Sequence, residues 1–196
     1  HVDVAKVLIQ NGADVNAVDG YKLTALHKAA RNGHIDVVKV LIRNGADVNA
    51  VDKYKSTALH CAGRKGHVDV VKVLLQNGAD VNAVEKDTSM TALHIAAEEG
   101  HVDVVKVLLE NGAVVNAVDD QQYTALHNAV REGHVDVVKV LIQNGVDVNA
   151  VDDKKATALY DAIFACRSHV AKIVLQLLCF GAVSYTHLRA HETQYH

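Results

Sequence analysis

Thirteen histidines are the residues of this chain with the most chemical potential. Histidine titrates near neutrality and is the commonest metal ligand, so a cluster would indicate a metal centre or proton transfer. The spacing argues against both. Eight of them fall in pairs seven residues apart: His27/His34, His60/His67, His94/His101 and His127/His134. Seven residues span a helix and a turn, so the pairs offer no H-x-x-x-H face. No C-x-x-C accompanies them. Cys61, Cys166 and Cys179 are few and far apart, and they read as buried thiols of a reducing compartment. Ser56, Ser89, Ser168 and Ser184 lack a G-x-S-x-G setting, and no phosphate-cradling G-x-x-x-x-G-K or G-x-G-x-x-G occurs. The expectation is a non-enzyme with no metal and no cofactor.

What recurs is the whole context of those histidines. His1-Val2-Asp3-Val4 returns at His34, His67, His101 and His134, and Thr24-Ala25-Leu26-His27 returns at Thr57, Thr91, Thr124 and Thr157. A fixed period of this kind means a solenoid in which each unit contacts only its neighbours. Within one unit Leu26, Ala29 and Ala30 sit at i, i+3 and i+4, the stripe of a short helix. Thr24 is a suitable N-cap and Gly33 a suitable end. In a second helix Val37, Val38, Leu41 and Ile42 face inward, while Asp36, Lys39 and Arg43 point outward and can pair. Asn44-Gly45 then closes it.

These blocks, in register over 1–182, resemble the ankyrin repeat: T-P-L-H-x-A-A, then G-H, a hydrophobic second helix, and G-A-D-V-N-A. The resemblance implies an all-α solenoid of antiparallel helix pairs with hairpin loops. On that reading a partial unit covers 1–18, full units cover 19–51, 52–84, 85–118 and 119–151, and a divergent unit covers 152–182. The resemblance also gives the histidines structural roles. His27, His60, His94 and His127 tie the threonine and loop backbone together; His34, His67, His101 and His134 fix the turn between helices. Tyr160 stands where the last unit expects the first kind. The recurring Asn16, Asn49, Asn82, Asn116 and Asn149 should bond loop backbone, and relatives in animals can be hydroxylated there.

Three departures from the family pattern carry consequences. Its proline is alanine at Ala25, Ala58, Ala92, Ala125 and Ala158, which keeps the helix start but loosens the unfolded chain. Its turn glycine is replaced by Lys22, Lys55, Gln122 and Lys155, so the hairpins are expected to be less tightly defined. One extra residue precedes Thr91 and should fall in a loop.

The ends do not look like polar capping units. His1 opens inside a second helix, and the last unit is apolar, with Ile163, Phe164, Leu175, Leu177, Leu178 and Phe180. The expectation is a fragment whose uncapped termini can associate end to end. Residues 183–196 resemble translated sequencing-adapter sequence and are set outside fold reasoning, with a short natural tail as the alternative. His187, His191 and His196 are therefore not read as a metal tract. The net charge of −3 argues against a general nucleic-acid binder, and no apolar run is long enough to span a membrane. Cytoplasm or nucleus is the expected location, with a secreted effector as the alternative.

Because the scaffold is nearly constant, specificity should lie where the repetition breaks. The resemblance places partners against hairpin tips and first-helix ends. The matching positions include Tyr21, Leu23, Arg31, Lys53, Tyr54, Lys55, Arg64 and Lys65, then Asp87, Met90, Glu98 and Glu99, then Gln121, Tyr123 and Arg131. Lys22, Arg31, Lys53, Lys55, Arg64 and Lys65 are cationic and flank two tyrosines, whereas Glu85, Asp87, Glu98 and Glu99 are anionic. Tyrosine and arginine are favoured interface anchors, and opposed charge steers orientation. The expected partner is another protein, with an acidic segment against 20–65 and a basic one against 85–99. Loop solvation is the bland alternative for these charges. The alternative function is recruitment within a larger enzyme, channel or host-directed effector. Val18, Val51, Val84, Val118 and Val151 form a further row, expected to be partly buried under the hairpins.

Overall fold

The computed structural model describes residues 2–164. Cys166, Cys179, the apolar 175–180 stretch and the 183–196 tail lie outside the described residues. Ten helices alternate between two layers. One layer holds α2 (Ala25–Arg31), α4 (Ala58–Lys65), α6 (Ala92–Glu98), α8 (Ala125–Glu132) and α10 (Ala158–Phe164). The other holds α1 (Val2–Gln10), α3 (Ile35–Arg43), α5 (Val68–Gln76), α7 (Val102–Glu110) and α9 (Val135–Gln143). Helices α2 to α9 pack as pairs, α2 on α3 through α8 on α9, and every helix packs on its counterpart in an adjacent unit. Among the described residues there is no β-strand, only a single isolated bridge between Val151 and Thr157. This is an all-α repeat solenoid.

The core follows from the two helical stripes. Leu26, Leu59, Leu93 and Leu126 from the short helices meet Leu41, Leu74, Leu108 and Leu141 from the longer ones, and all eight are buried. Ala29-Ala30, Ala62-Gly63 and Ala96-Ala97 are buried beside them. Their small side chains let the short helices approach closely, and this burial of apolar area is the main source of stability. On α1, Val4, Val7 and Leu8 are exposed.

The short helices start with a capping box in which histidine takes the place usually held by glutamate. The Thr24 Oγ1 accepts from the His27 amide, and the Thr24 amide donates to His27 Nδ1 at 3.2 Å. Accepting that amide leaves Nδ1 without a proton, so the neutral ring carries its proton on Nε2. The same threonine–histidine geometry recurs at Thr57/His60 and Thr91/His94.

Loops lock to one another through side-chain amides. Asn49 Nδ2 donates to the Gly78 carbonyl at 3.0 Å, and its Oδ1 accepts from the Asp80 amide at 2.8 Å. Asn16 makes the same two bonds to Gly45 and Asp47, and Asn82 to Gly112 and Val114. These asparagines bridge consecutive loops rather than bracing their own.

Candidate functional site

The hairpins form hydrogen-bonded turns in which other residues stand in for the family's glycines. Lys22, Lys55, Gln122 and Lys155 adopt φ of 60°, 58°, 63° and 66°, a left-handed conformation that costs a non-glycine residue about 1–2 kcal/mol. An aspartate holds each turn against that cost. Asp19 Oδ1 accepts from the amides of Tyr21 and Leu23 at 2.9 and 3.0 Å. Asp52 does the same for Tyr54 and Ser56, Asp119 for Gln121 and Tyr123, and Asp152 for Lys154 and Ala156. Backbone bonds then tie tip to tip: Lys53 amide to Tyr21 carbonyl, Lys86 to Tyr54, Asp120 to Thr88, and Asp153 to Gln121.

The third hairpin departs from its neighbours, and the departure has an electrostatic consequence. Its extra residue widens the turn, so Ser89 donates to the Glu85 carbonyl four residues back, where Lys55 donates to Asp52 three back. Ser89 takes the left-handed φ of 54°. Glu85 stands where the others have the turn aspartate. Its carboxylate reaches Arg64 instead, 3.3 Å from Nη2 to each oxygen.

A cleft of about 530 Å³ is lined by residues of the first three full hairpins and of α2 and α4. It brings together seven of the residues singled out in the sequence: Tyr21, Leu23, Arg31, Tyr54, Arg64, Lys65 and Asp87. Lys53 is not a lining residue but sits at its lip, with Nζ 4.0 Å from the Tyr21 ring centre and 4.8 Å from that of Tyr54. Such cation–π contacts hold both exposed rings and the ammonium in one arrangement. Lys28 pairs with Asp19 at 2.9 Å, and this contact together with the turn amides holds the Asp19 carboxyl below its usual range.

Sequence reasoning missed Lys28 and Cys61 as lining residues. The signal was present: positions 28, 61, 95, 128 and 161, each one after the first-helix histidine or its tyrosine counterpart, are Lys, Cys, Ile, Asn and Asp. Cys61 is a half-buried free thiol, pushed up to about 11 by burial and by the nearby Asp52.

The remaining singled-out positions spread over the same side without joining the cleft. Lys55, Glu98, Glu99, Gln121 and Arg131 are exposed, and Met90 is half-buried. Burial, followed by repulsion from Glu99, raises the Glu98 carboxyl. Tyr123 is a correction. It is only 8% exposed and packs on His127 with ring centres 5.6 Å apart, so it cannot present its face to a partner. Arg131 covers that ring at 5.0 Å. The valine row is a second correction: Val18, Val51, Val84, Val118 and Val151 are 41–57% exposed and lie largely on the surface.

The histidines of the short helices are buried, and His27 lies at the back of the cleft. His27 Nε2 donates to the Ser56 carbonyl at 3.0 Å, and His94 Nε2 to those of Ala117 and Tyr123. In His60 and His127 the same nitrogen has no partner within hydrogen-bond geometry. Burial lowers the pKa of His60, His94 and His127. The second set reaches back to the preceding helix pair: His67 Nε2 donates to the Arg31 carbonyl, His101 to Arg64 and His134 to Glu98. These rings join helix pairs rather than fixing the turn within one. His34 is exposed. Among the described residues no group of three or more His, Cys, Asp or Glu could hold a metal ion, and no helix is long and apolar enough to cross a membrane.

No curated protein matches the chain. The family model described as ankyrin repeats (3 copies) matches residues 1–85, 83–152 and 119–185. With the capped helix pairs and linked hairpins above, that match places the chain in the ankyrin-repeat family.

Proposed function

We propose that the chain is a protein-binding scaffold whose hairpin tips and short-helix ends recognise a partner of ordered charge. An acidic segment lies against 20–65 and a basic one against 85–99. The observation that carries the reading is the change of sign along one side of the array: exposed Lys22, Arg31, Lys53, Lys55 and Lys65 give way to exposed Asp87, Glu98 and Glu99. The hydrogen-bonded tips keep these side chains in place before binding, so little ordering entropy is lost. Ankyrin repeats are generally protein-interaction modules. The free thiol of Cys61 fits a reducing compartment.

Panning a random-peptide display library against the intact chain tests the reading. Enriched peptides should carry an acidic block and a separate basic block. Binding should weaken roughly tenfold in Lys53→Glu/Lys55→Glu, equivalent to about 1.4 kcal/mol. Enriched peptides without charge order, bound equally by the variant, contradict it.

A further inference from the structure

We propose that the cleft beside Tyr21 and Tyr54 receives an apolar side chain of a partner segment, with carboxylates flanking that anchor bound to Arg31 and Lys65. The inference rests on the protein-binding reading above and assigns the chemistry of one subsite within it.

The cleft is large enough for such an anchor, at about 530 Å³. Half-buried Leu23 and Cys61 line it together with the two tyrosines. Lys53 holds both rings from the outer side, so the apolar wall exists before anything binds. Aromatic walls of this kind, fixed in advance and rimmed by charge, are where interface anchors concentrate.

Lys28, Arg31, Arg64 and Lys65 line it against the carboxylates of Asp52, Glu85 and Asp87, and Asp87 forms no ion pair with any of them. Lys28 is satisfied by Asp19. Arg64 is satisfied by Glu85, freed from turn duty by the wider third hairpin. The Asp52 Oδ1 is occupied by the amides of Tyr54 and Ser56. Arg31 and Lys65, which end α2 and α4, are left with no carboxylate within ion-pair distance among the described residues. An incoming carboxylate therefore meets cations that need not break an existing pair, so the occupant that complements the cleft is an acidic peptide with an apolar centre.

Cys61 supplies a reporter confined to this subsite, because its thiol lies on the cleft wall. Fluorescein-labelled peptides with a central Phe between Glu residues, and controls with Phe→Ser or Glu→Gln, are titrated against the full chain by anisotropy. Cys61 alkylation by iodoacetamide, run at alkaline pH because the thiol is pushed up to about 11, is followed by peptide mass mapping at each peptide concentration. The Glu–Phe peptide should bind at least about tenfold more tightly than either control. It should slow Cys61 alkylation in step with occupancy, and lose affinity in Arg31→Gln/Lys65→Gln. Equal affinity of the peptides, no binding, or binding with Cys61 still reactive overturns the inference. Each of those leaves the broader reading standing if ligands from the display still bind with ordered charge.

Discussion

The His101 ring lies directly against Gly66, the residue that ends the short helix of the preceding pair. A Cβ on Gly66 would sit 2.7 Å from His101 Nδ1, and the backbone there has φ +71°. Ring Nε2 meanwhile donates to the Arg64 carbonyl at 3.2 Å. One contact thus closes a helix end and joins two helix pairs. The same packing recurs between Gly33 and His67 and between Gly100 and His134.

Gly66→Ala should therefore destabilise the array by about 2–4 kcal/mol, the sum of left-handed strain and ring displacement. Gly45→Ala is the comparison: it has φ +87° but nothing within reach of a Cβ. It should lose only about 1–2 kcal/mol. Urea denaturation of the two variants checks the difference, and equal losses would rule out the ring contact as a source of stability.

Lys55 holds a left-handed φ of 58° without being a glycine. Lys55→Gly relieves that strain but adds freedom to the unfolded chain. The first effect is the larger, so a net gain of about 0.5–1 kcal/mol is expected. A higher denaturation midpoint supports this; an unchanged or lower one shows that the Asp52 bonds leave no strain to relieve.

Acid should weaken the fold through the buried histidines. His60, His94 and His127 have folded pKa values below the ordinary 6.5 because burial disfavours the charged ring. The unfolded chain therefore binds more protons as pH falls through about 6.5, and stability drops with it. Above that pH the three rings are neutral in both states and the fold keeps its full stability. Each ring contributes a slope of up to about 1.4 kcal/mol per pH unit. Denaturation midpoints from neutral to mildly acidic solution read this directly; His94→Gln should flatten the slope by one ring's share.

The loop bridges make a local prediction. Asn49→Ala removes the bonds to Gly78 and Asp80. The site is exposed, so the loss should be about 1–2 kcal/mol for the two bonds together. Amide exchange at Asp80 should accelerate well beyond that in the cores of α5 and α7; unchanged exchange would mean water replaces the bridge at no cost.

The helix pairs were legible in the sequence because their determinants are local and repeated. Leu26-type and Leu41-type stripes, threonine caps and closing glycines each recur in register. What was not legible depends on neighbours one period away. The aspartate that braces each left-handed turn is a turn residue in the sequence, and only the fold shows its oxygen reaching two amides. The exposure of the valine row depends on how hairpins stack. Tyr123 reads like Tyr21 and Tyr54 by composition, but it sits two residues further along its hairpin, in the register of Leu23 and Ser56, and there it turns inward onto His127. The release of Glu85 toward Arg64 depends on the longer methylene stem and wider turn acting together.

A charge-swap cycle on a display-selected ligand reads the binding account at its core. Affinity is measured by calorimetry for the intact chain and for Lys53→Glu/Lys55→Glu, each against the ligand and against its copy with the acidic block changed to lysine. The account predicts that each single swap weakens binding roughly tenfold and that the double swap recovers most of it. Losses that simply add, with no recovery, would contradict a partner whose acidic segment meets the 20–65 surface.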